Sequence, residues 1–244
     1  MEDLREKIID SIEPVGKKRS RYEVGGRGIP SVTEILSYVD SQGLIDWANR
    51  IGLQGKNNKE YAAKAARYGT ATHSAIENYL KGNGNDFLDN SAFKAFKLWW
   101  ADINRDHKVK IIGQEEPLVI DTFAGTYDLL ITIDDRYFMI DFKTSNSVGY
   151  KYFMQLAAYR YLIYRKKGIV LDGVIVLQLD KAPRAPKYYE FGLDFSRADH
   201  YAFIENCMNC FAGVLYSYHN IERLKNEFDE VFYGDNETRN KGVA

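Results

Sequence analysis

The run "GTYDLLITIDDRYFMIDFKT", Gly125 to Thr144, constrains the fold more than any other stretch of the chain. Two segments rich in β-branched and aromatic residues flank Asp134 and Asp135, the pattern of a β-hairpin. Bulky residues stand at successive positions in "LLITI" and "FMI", so both faces of the hairpin require cover. Such a hairpin belongs inside a layered structure, with helices packed on either side of a sheet. Yet Asp128 and Asp141 occupy positions where the pattern calls for apolar residues. A two-residue turn at Asp134–Asp135 pairs Ile133 with Arg136 and, counting outward, Asp128 with Asp141. A four-residue loop from Ile133 to Arg136 keeps the same register.

In that register the two carboxylates face each other on one side of the sheet, with Cβ atoms about 4.5–5.5 Å apart. Strand alternation places Lys143 on the same side. Facing like charges destabilise a strand pair unless a cation lies between them. Mg²⁺ takes hard oxygen ligands of this kind, with water and phosphate completing its shell. A metal so held lowers the pKa of a water and stabilises charge on a phosphate. Lys143 is placed to orient that water or to neutralise developing negative charge.

The surrounding chain supplies the layers. Residues 1–28 read as a polar arm that carries a basic cluster, Lys17 to Arg21, and ends in the Gly-rich "EVGGRGIPS". "GGRG" is too short for a dinucleotide fingerprint. Residues 29–108 read as a helical subdomain, opened by a capping box of Ser31 and Glu34. Within it, "SAFKAFKLWWADI" interleaves aromatics with Lys94 and Lys97. Core packing accounts for the rings, and base stacking with lysine contacts is the alternative. From Val109 the pattern changes to strands: "VKIIGQEEPLVI", the hairpin, "DGVIVLQLD" and an edge strand ending "YYEFGLD". One helix, "YKYFMQLAAYRYLIYRKKG", interrupts them, and a long helix from about Arg197 to Phe228 follows. The expected fold is α/β or α+β, a mixed sheet with flanking helices over residues 109–230, and a polar tail over 231–244.

Composition narrows the setting. The 244 residues carry 33 Lys+Arg against 34 Asp+Glu, so nucleic acid would be met by local patches and not by a global basic field. Two cysteines make no disulfide framework and suggest a reducing compartment. The opening "MEDLREKIIDSIEP" reads as neither a signal nor a transit peptide, and no apolar run has the length of a membrane span.

"GTYD" followed by "IDFKT" resembles the split metal-binding signature of the PD-(D/E)XK nuclease superfamily, and the chain is similar to its RecB-like exonuclease branch. That branch carries a helical Gly-x-x-x-His, matched by Gly69 and His73 in "GTATHSAIENYL". It carries a glutamate on the preceding strand, matched by Glu115, with Glu116 as the register alternative. It carries Gln-x-x-x-Tyr on the next helix, matched by Gln155 and Tyr159. "PSVTEIL" is also similar to mitochondrial genome maintenance exonucleases and small phage exonucleases. The resemblance implies a restriction-endonuclease-like core and a metal-dependent DNA exonuclease acting from a free end. Mg²⁺ or Mn²⁺ would be held by His73, Glu115, Asp128, Asp141 and the Phe142 carbonyl. His73, read as early in its helix, suits Mn²⁺ in particular. Lys143 would assist the nucleophile, and Gln155 and Tyr159, on one helix face, would hold the scissile phosphate or Lys143. Arg67, Lys94, Lys97, Lys166 and Lys167 are candidate DNA contacts, as is the loop with Lys181, Arg184 and Lys187. Some relatives hold an iron–sulfur cluster on four cysteines; with only Cys207 and Cys210, both read as core residues, none is expected here. His107, His200 and His219 are read as structural. The implied partners are DNA and replication or recombination proteins, in a bacterial or phage-infected cytoplasm.

Overall fold

The computed structural model describes residues 4–16, 20–39, 42–83, 90–182 and 185–233. Lys17 to Arg19, Arg184 and residues 234–244 lie outside them. The chain starts with α1 (Leu4–Ser11) and a small hairpin of β1 (Tyr22–Val24) and β2 (Arg27–Ile29). Helices α2 (Val32–Ile35), α3 (Gln42–Leu53), α4 (Asn58–Leu80) and α5 (Ser91–Asp106) follow. Next come β3 (Val109–Val119), β4 (Ala124–Ile133), β5 (Arg136–Lys143), α6 (Tyr150–Lys167), β6 (Gly173–Leu179), β7 (Tyr188–Asp194) and α7 (Ala198–Tyr233).

Strands β3 to β7 form one mixed sheet in chain order. Only β5 and β6 run parallel, because α6 crosses between them; the other neighbours are antiparallel. The β4–β5 turn is the two-residue kind. Asp134 and Asp135 have φ of 51° and 64°, the doubly positive geometry whose twist suits a hairpin. Asp134 is held there by the backbone N–H of Lys108 at 3.0 Å and by His107 at 2.7 Å. The Gly-rich stretch read as part of a polar arm is a second such turn, with Gly25 and Gly26 at φ 57° and 78° between β1 and β2.

Both sheet faces are covered. Leu130, Met139, Val174 and Val176 pack under α2, α6 and α7. Leu129, Ile131, Ile140, Phe142, Ile175 and Leu177 pack under α4 and α5. Each fully buried side chain of this size contributes about 1.5–3 kcal/mol, which is why two adjacent apolar residues in β5 fix helices on opposite sides. The aromatics of α5 serve this core: Phe93, Phe96 and Trp99 are buried, and Trp100 stacks on Phe96. The segment read as one helical subdomain is divided between the layers, α2 on one face and α5 on the other. Residues 59–67, the early turns of α4, are exposed on every side.

Ser31 caps α2, its hydroxyl accepting the Glu34 N–H at 3.1 Å. The Glu34 carboxylate accepts from Tyr218 OH at 2.7 Å and so ties α2 to α7. Helix α7 continues beyond the expected Phe228 to Tyr233. Of the two cysteines read as core residues, Cys207 is buried but Cys210, three positions on, faces solvent. No helix among the described residues is long and apolar enough to cross a membrane.

His200 accepts the Asp194 N–H at 3.0 Å. His219, wholly buried, clips the N-terminal segment to the loop after β3. Its Nδ1 accepts the Val15 N–H at 3.2 Å, and its Nε2 donates to Thr122 O at 2.8 Å. Burial holds this imidazole below its usual range, outweighing the bond to Thr122. The unfolded chain takes up that proton near pH ~6.5, whereas the folded protein resists it. Stability is therefore full above that pH and falls as the pH drops through the folded value. The Tm of the wild type should decline between pH 7.5 and 5, and His219→Gln should flatten that slope while lowering the Tm overall. An equal slope in the variant would assign the acid sensitivity to other groups.

Candidate active site

The β4–β5 ladder runs from Ile133↔Arg136 to Leu129↔Ile140 and stops. The sequence register carried one residue further would set Asp128 directly across from Asp141; instead the strands part there. Asp128 Oδ2 accepts the Phe142 N–H at 2.7 Å, so the carboxylate supplies the partner that the β4 backbone no longer offers. Face alternation slips at the same point. Leu129 packs with the α5 layer, while Leu130 and Tyr127, three apart, both join the α6–α7 layer.

Strand β3 adapts to this kink. A bulge lies between Ile111 and Gly113, after which Gln114↔Leu129 and Glu116↔Tyr127 bracket Glu115 opposite Asp128. Glu115 has φ 49°, left-handed backbone that costs a residue with a side chain about 1–3 kcal/mol. Glu116 pairs with Lys167, which holds its carboxylate below the usual range. Of the two register alternatives, Glu115 is therefore the one beside Asp128.

The third element is α4. His73 lies well past the middle of this helix, not early in it, because α4 begins at Asn58. Its Nδ1 stands 3.4 Å from Asp128 Oδ1 and 3.6 Å from Glu115 Oε1, and its Nε2 donates to Phe142 O at 3.0 Å. Ligand atoms of His73, Glu115 and Asp128 all lie within 4.8 Å of one another. Burial pulls the imidazole down, but the Asp128 charge and the two carboxylate contacts more than reverse this and raise it to about 10. Asp128 itself, pushed up by burial, is held below the usual carboxylate range by His73, Lys143 and the Phe142 N–H.

Asp141 and Lys143 form the other half. Lys143 Nζ donates to Asp141 Oδ1 at 2.9 Å, and Gln155 Nε2 approaches the same oxygen at 3.3 Å. Lys143 Nζ is also 2.7 Å from Oδ2, but off the line of a hydrogen bond, and this buried oxygen accepts none. Burial pushes Asp141 up to about 6 against the pull of Lys143, with Asp128 adding to the rise. Burial disfavours the Lys143 ammonium, yet Asp141 and Asp128 keep it above its ordinary value. Gln155 Nε2 also lies 3.0 Å from Tyr159 OH. The sequence reading missed Tyr152, whose ring centre is 4.9 Å from Lys143 Nζ. Its position three before Gln155, on the same helix face, was the available signal.

The remaining candidates lie outside this cluster. Arg67 is exposed on α4, about 9 Å of helix rise before His73. Lys94 and Lys97 are on α5, on the opposite sheet face from α6, and Lys97 sits 4.9 Å from the Phe93 ring centre. Lys166 and Lys167 are about 17 Å further along α6 than Gln155, with Lys167 on Glu116. Lys181 and Lys187 are exposed around the β6–β7 connection.

His73, Glu115 and Asp128 bring one imidazole and two carboxylates together, a donor set that fits a divalent ion, while Asp141, paired with Lys143, stands outside that group of three. No protein-family model and no curated protein matches the chain. Among solved structures it is similar to that of SSO0001, at 16% identity and a TM-score of 0.35 over 85% of this chain and 83% of that one. It is also similar to an alkaline exonuclease, LHK-Exo, from Laribacter hongkongensis. There the identity is 16% and the TM-score 0.30 over 68% of this chain and 87% of that one. LHK-Exo has also been solved in complex with dAMP. At this level of likeness they say nothing about activity here.

Two glycines separate packing from position. A Cβ on Gly125 would lie 2.3 Å from the Tyr159 ring, whereas one on Gly69 would meet only Thr144 Oγ1 at 3.5 Å. Gly125→Ala should destabilise by about 1–3 kcal/mol in urea unfolding. Gly69→Ala should be neutral or stabilise by up to about 1 kcal/mol, since alanine suits a helix better. Equal losses in both variants would contradict this packing.

Proposed function

We propose that this chain is a metal-dependent deoxyribonuclease, an exonuclease that hydrolyses phosphodiester bonds from a free, single-stranded DNA end. One observation carries the reading: His73, Glu115 and Asp128 converge beside an ion pair of Lys143 with the buried Asp141. A carboxylate–lysine pair of this kind has no evident use in a fold that merely binds. His73, Glu115, Asp128, Asp141 and the Phe142 carbonyl would hold the ion. When bound, Mg²⁺ or Mn²⁺ supplies a Lewis acid that lowers the pKa of a water and neutralises charge on the phosphate.

Lys143, fixed by Asp141 and lying beside the Tyr152 ring, orients the attacking water and offsets negative charge developing on the phosphate. Gln155, held between Asp141 and Tyr159, fixes the carboxylate geometry on the α6 side. Burial, together with the Asp141 charge, keeps the Tyr159 phenol protonated, so it can donate to a phosphate oxygen. Direct displacement by water inverts configuration at phosphorus. The exposed early turns of α4, which carry Arg67, and the preceding α3 would form the wall that admits only strand ends.

The test is cleavage of end-labelled linear single strands, linear duplex and closed single-stranded circles in Mg²⁺ or Mn²⁺, with EDTA as control. Linear strands should be lost and circles should survive. Lys143→Ala should cost at least about 100-fold in rate, and Asp128→Asn should cost a similar factor while keeping an acceptor for the Phe142 N–H. Mn²⁺ should also raise the Tm of the wild type but not that of Asp128→Asn. Cut circles would make the enzyme an endonuclease. DNA binding without cleavage in either metal would leave a binding module.

A further inference from the structure

Strand β7 is an edge of the sheet, and its two faces are used differently. Tyr188 and Glu190 point to the α5 side, where Tyr188 OH donates to Asp102 at 2.8 Å and Trp99 Nε1 donates to Glu190. These bonds anchor the strand. The alternate residues Tyr189 and Phe191 point to the other face and remain 46% and 40% exposed. Solitary exposed aromatics need no explanation. Two in line on one anchored strand, within reach of a candidate active site, are a different matter.

Sheet register places them. Lys143 pairs with Gln178, and Gln178 with Tyr189; Asp141 pairs with Val176, and Val176 with Phe191. Cross-strand partners share a face, so Tyr189 stands in the row of Lys143 and Phe191 in the row of Asp141. Each lies two strand spacings away, roughly 10 Å. Between the rings and the segment Thr144–Asn146 lies a concavity of about 480 Å³, bordered by Gln178 and Lys181. Its floor is held, since Gln178 Nε2 donates to Ser145 O at 2.8 Å. Thr144, at one end, follows Lys143 directly and also lies against α4 at Gly69. The concavity thus begins one residue beyond Lys143, and Lys181 is exposed at its rim.

We infer that Tyr189 and Phe191 form a stacking platform for single-stranded DNA, receiving the bases next to the phosphate held at Lys143. This rests on the nuclease reading above and adds the path of the strand. Aromatic faces take any base, so the platform binds single strands without sequence preference, while Lys181 meets the backbone. A duplex end keeps its bases stacked on one another and cannot use the rings until it opens.

The experiment measures fluorescence anisotropy of labelled oligo-dT and of an abasic strand of equal length, with Ca²⁺ in place of the catalytic ion. It uses the full-length protein, Tyr189→Ala/Phe191→Ala, and the aromatic exchange Tyr189→Phe/Phe191→Tyr. The double alanine variant should bind oligo-dT about 10-fold more weakly, the exchange should restore affinity, and abasic strand binding should be unchanged throughout. Cleavage of linear single strands is measured in parallel in Mg²⁺. A wild type that cuts DNA, with a double variant that binds oligo-dT equally well, would overturn the platform and leave the nuclease standing. A wild type that neither binds nor cuts would overturn both. Equal loss for oligo-dT and abasic strands would also overturn it, since the rings would then act on the backbone or the fold and not on bases.

Discussion

The hydrogen bond from the Phe142 N–H to Asp128 is the point on which the rest of the site depends. In a continuous hairpin that N–H would meet a β4 carbonyl, and Asp128 would point out of one face of the sheet. With the strands parted, a side chain takes the place of backbone, and the Asp128 carboxylate comes to lie in the seam between the two helical layers. The seam lets His73, from one layer, meet groups whose neighbours belong to the other. It also makes the arrangement costly: Asp141 is buried, Asp128 and Lys143 are largely shielded, and Glu115 adds strained backbone. A group of buried charges is tolerated only when each has a partner. Here the pairing is closed within the chain, Asp141 with Lys143 and Asp128 with His73 and the Phe142 N–H.

Much of this was legible in the sequence, and the reason is periodicity. Successive bulky residues in β4 and β5 announced a sheet covered on both sides, and the two faces indeed carry separate cores. The turn at Asp134–Asp135 set the register, which holds from Ile133↔Arg136 to Leu129↔Ile140. Gln155 and Tyr159, four apart on one helix, fell on the same face, where Gln155 reaches Asp141 and also bonds Tyr159. In each case a local rule of spacing was enough.

What was not legible came from contacts that local spacing does not encode. The Glu115 φ and the slip of alternation at Asp128 answer to each other across two strands, and neither stretch alone signals an irregularity. The polar composition of residues 20–29 hid a hairpin, because two glycines in sequence read as loop until their positive φ values are seen. His73 was placed early in its helix, although α4 begins at Asn58, fifteen positions before it, with first turns that are exposed on every side. Cys210 was read as core because it shares a helix with Cys207, although three positions turned it to solvent.

The order in which the chain closes gives the site a further property. Asp141, Lys143, Gln155 and Tyr159 lie within one strand–helix unit, so that half can assemble as soon as α6 folds back on β5. His73 reaches Phe142 across 69 positions of sequence, and closing such a separation is among the later and slower events in folding. The lysine half is therefore local, Glu115 and Asp128 come from adjoining strands, and His73 alone of the group is recruited from far along the chain. A chain that has formed the β5–α6 unit but not the contact of α4 has Lys143 in place and lacks the imidazole. Completion of the candidate site is thus coupled to a long-range tertiary contact.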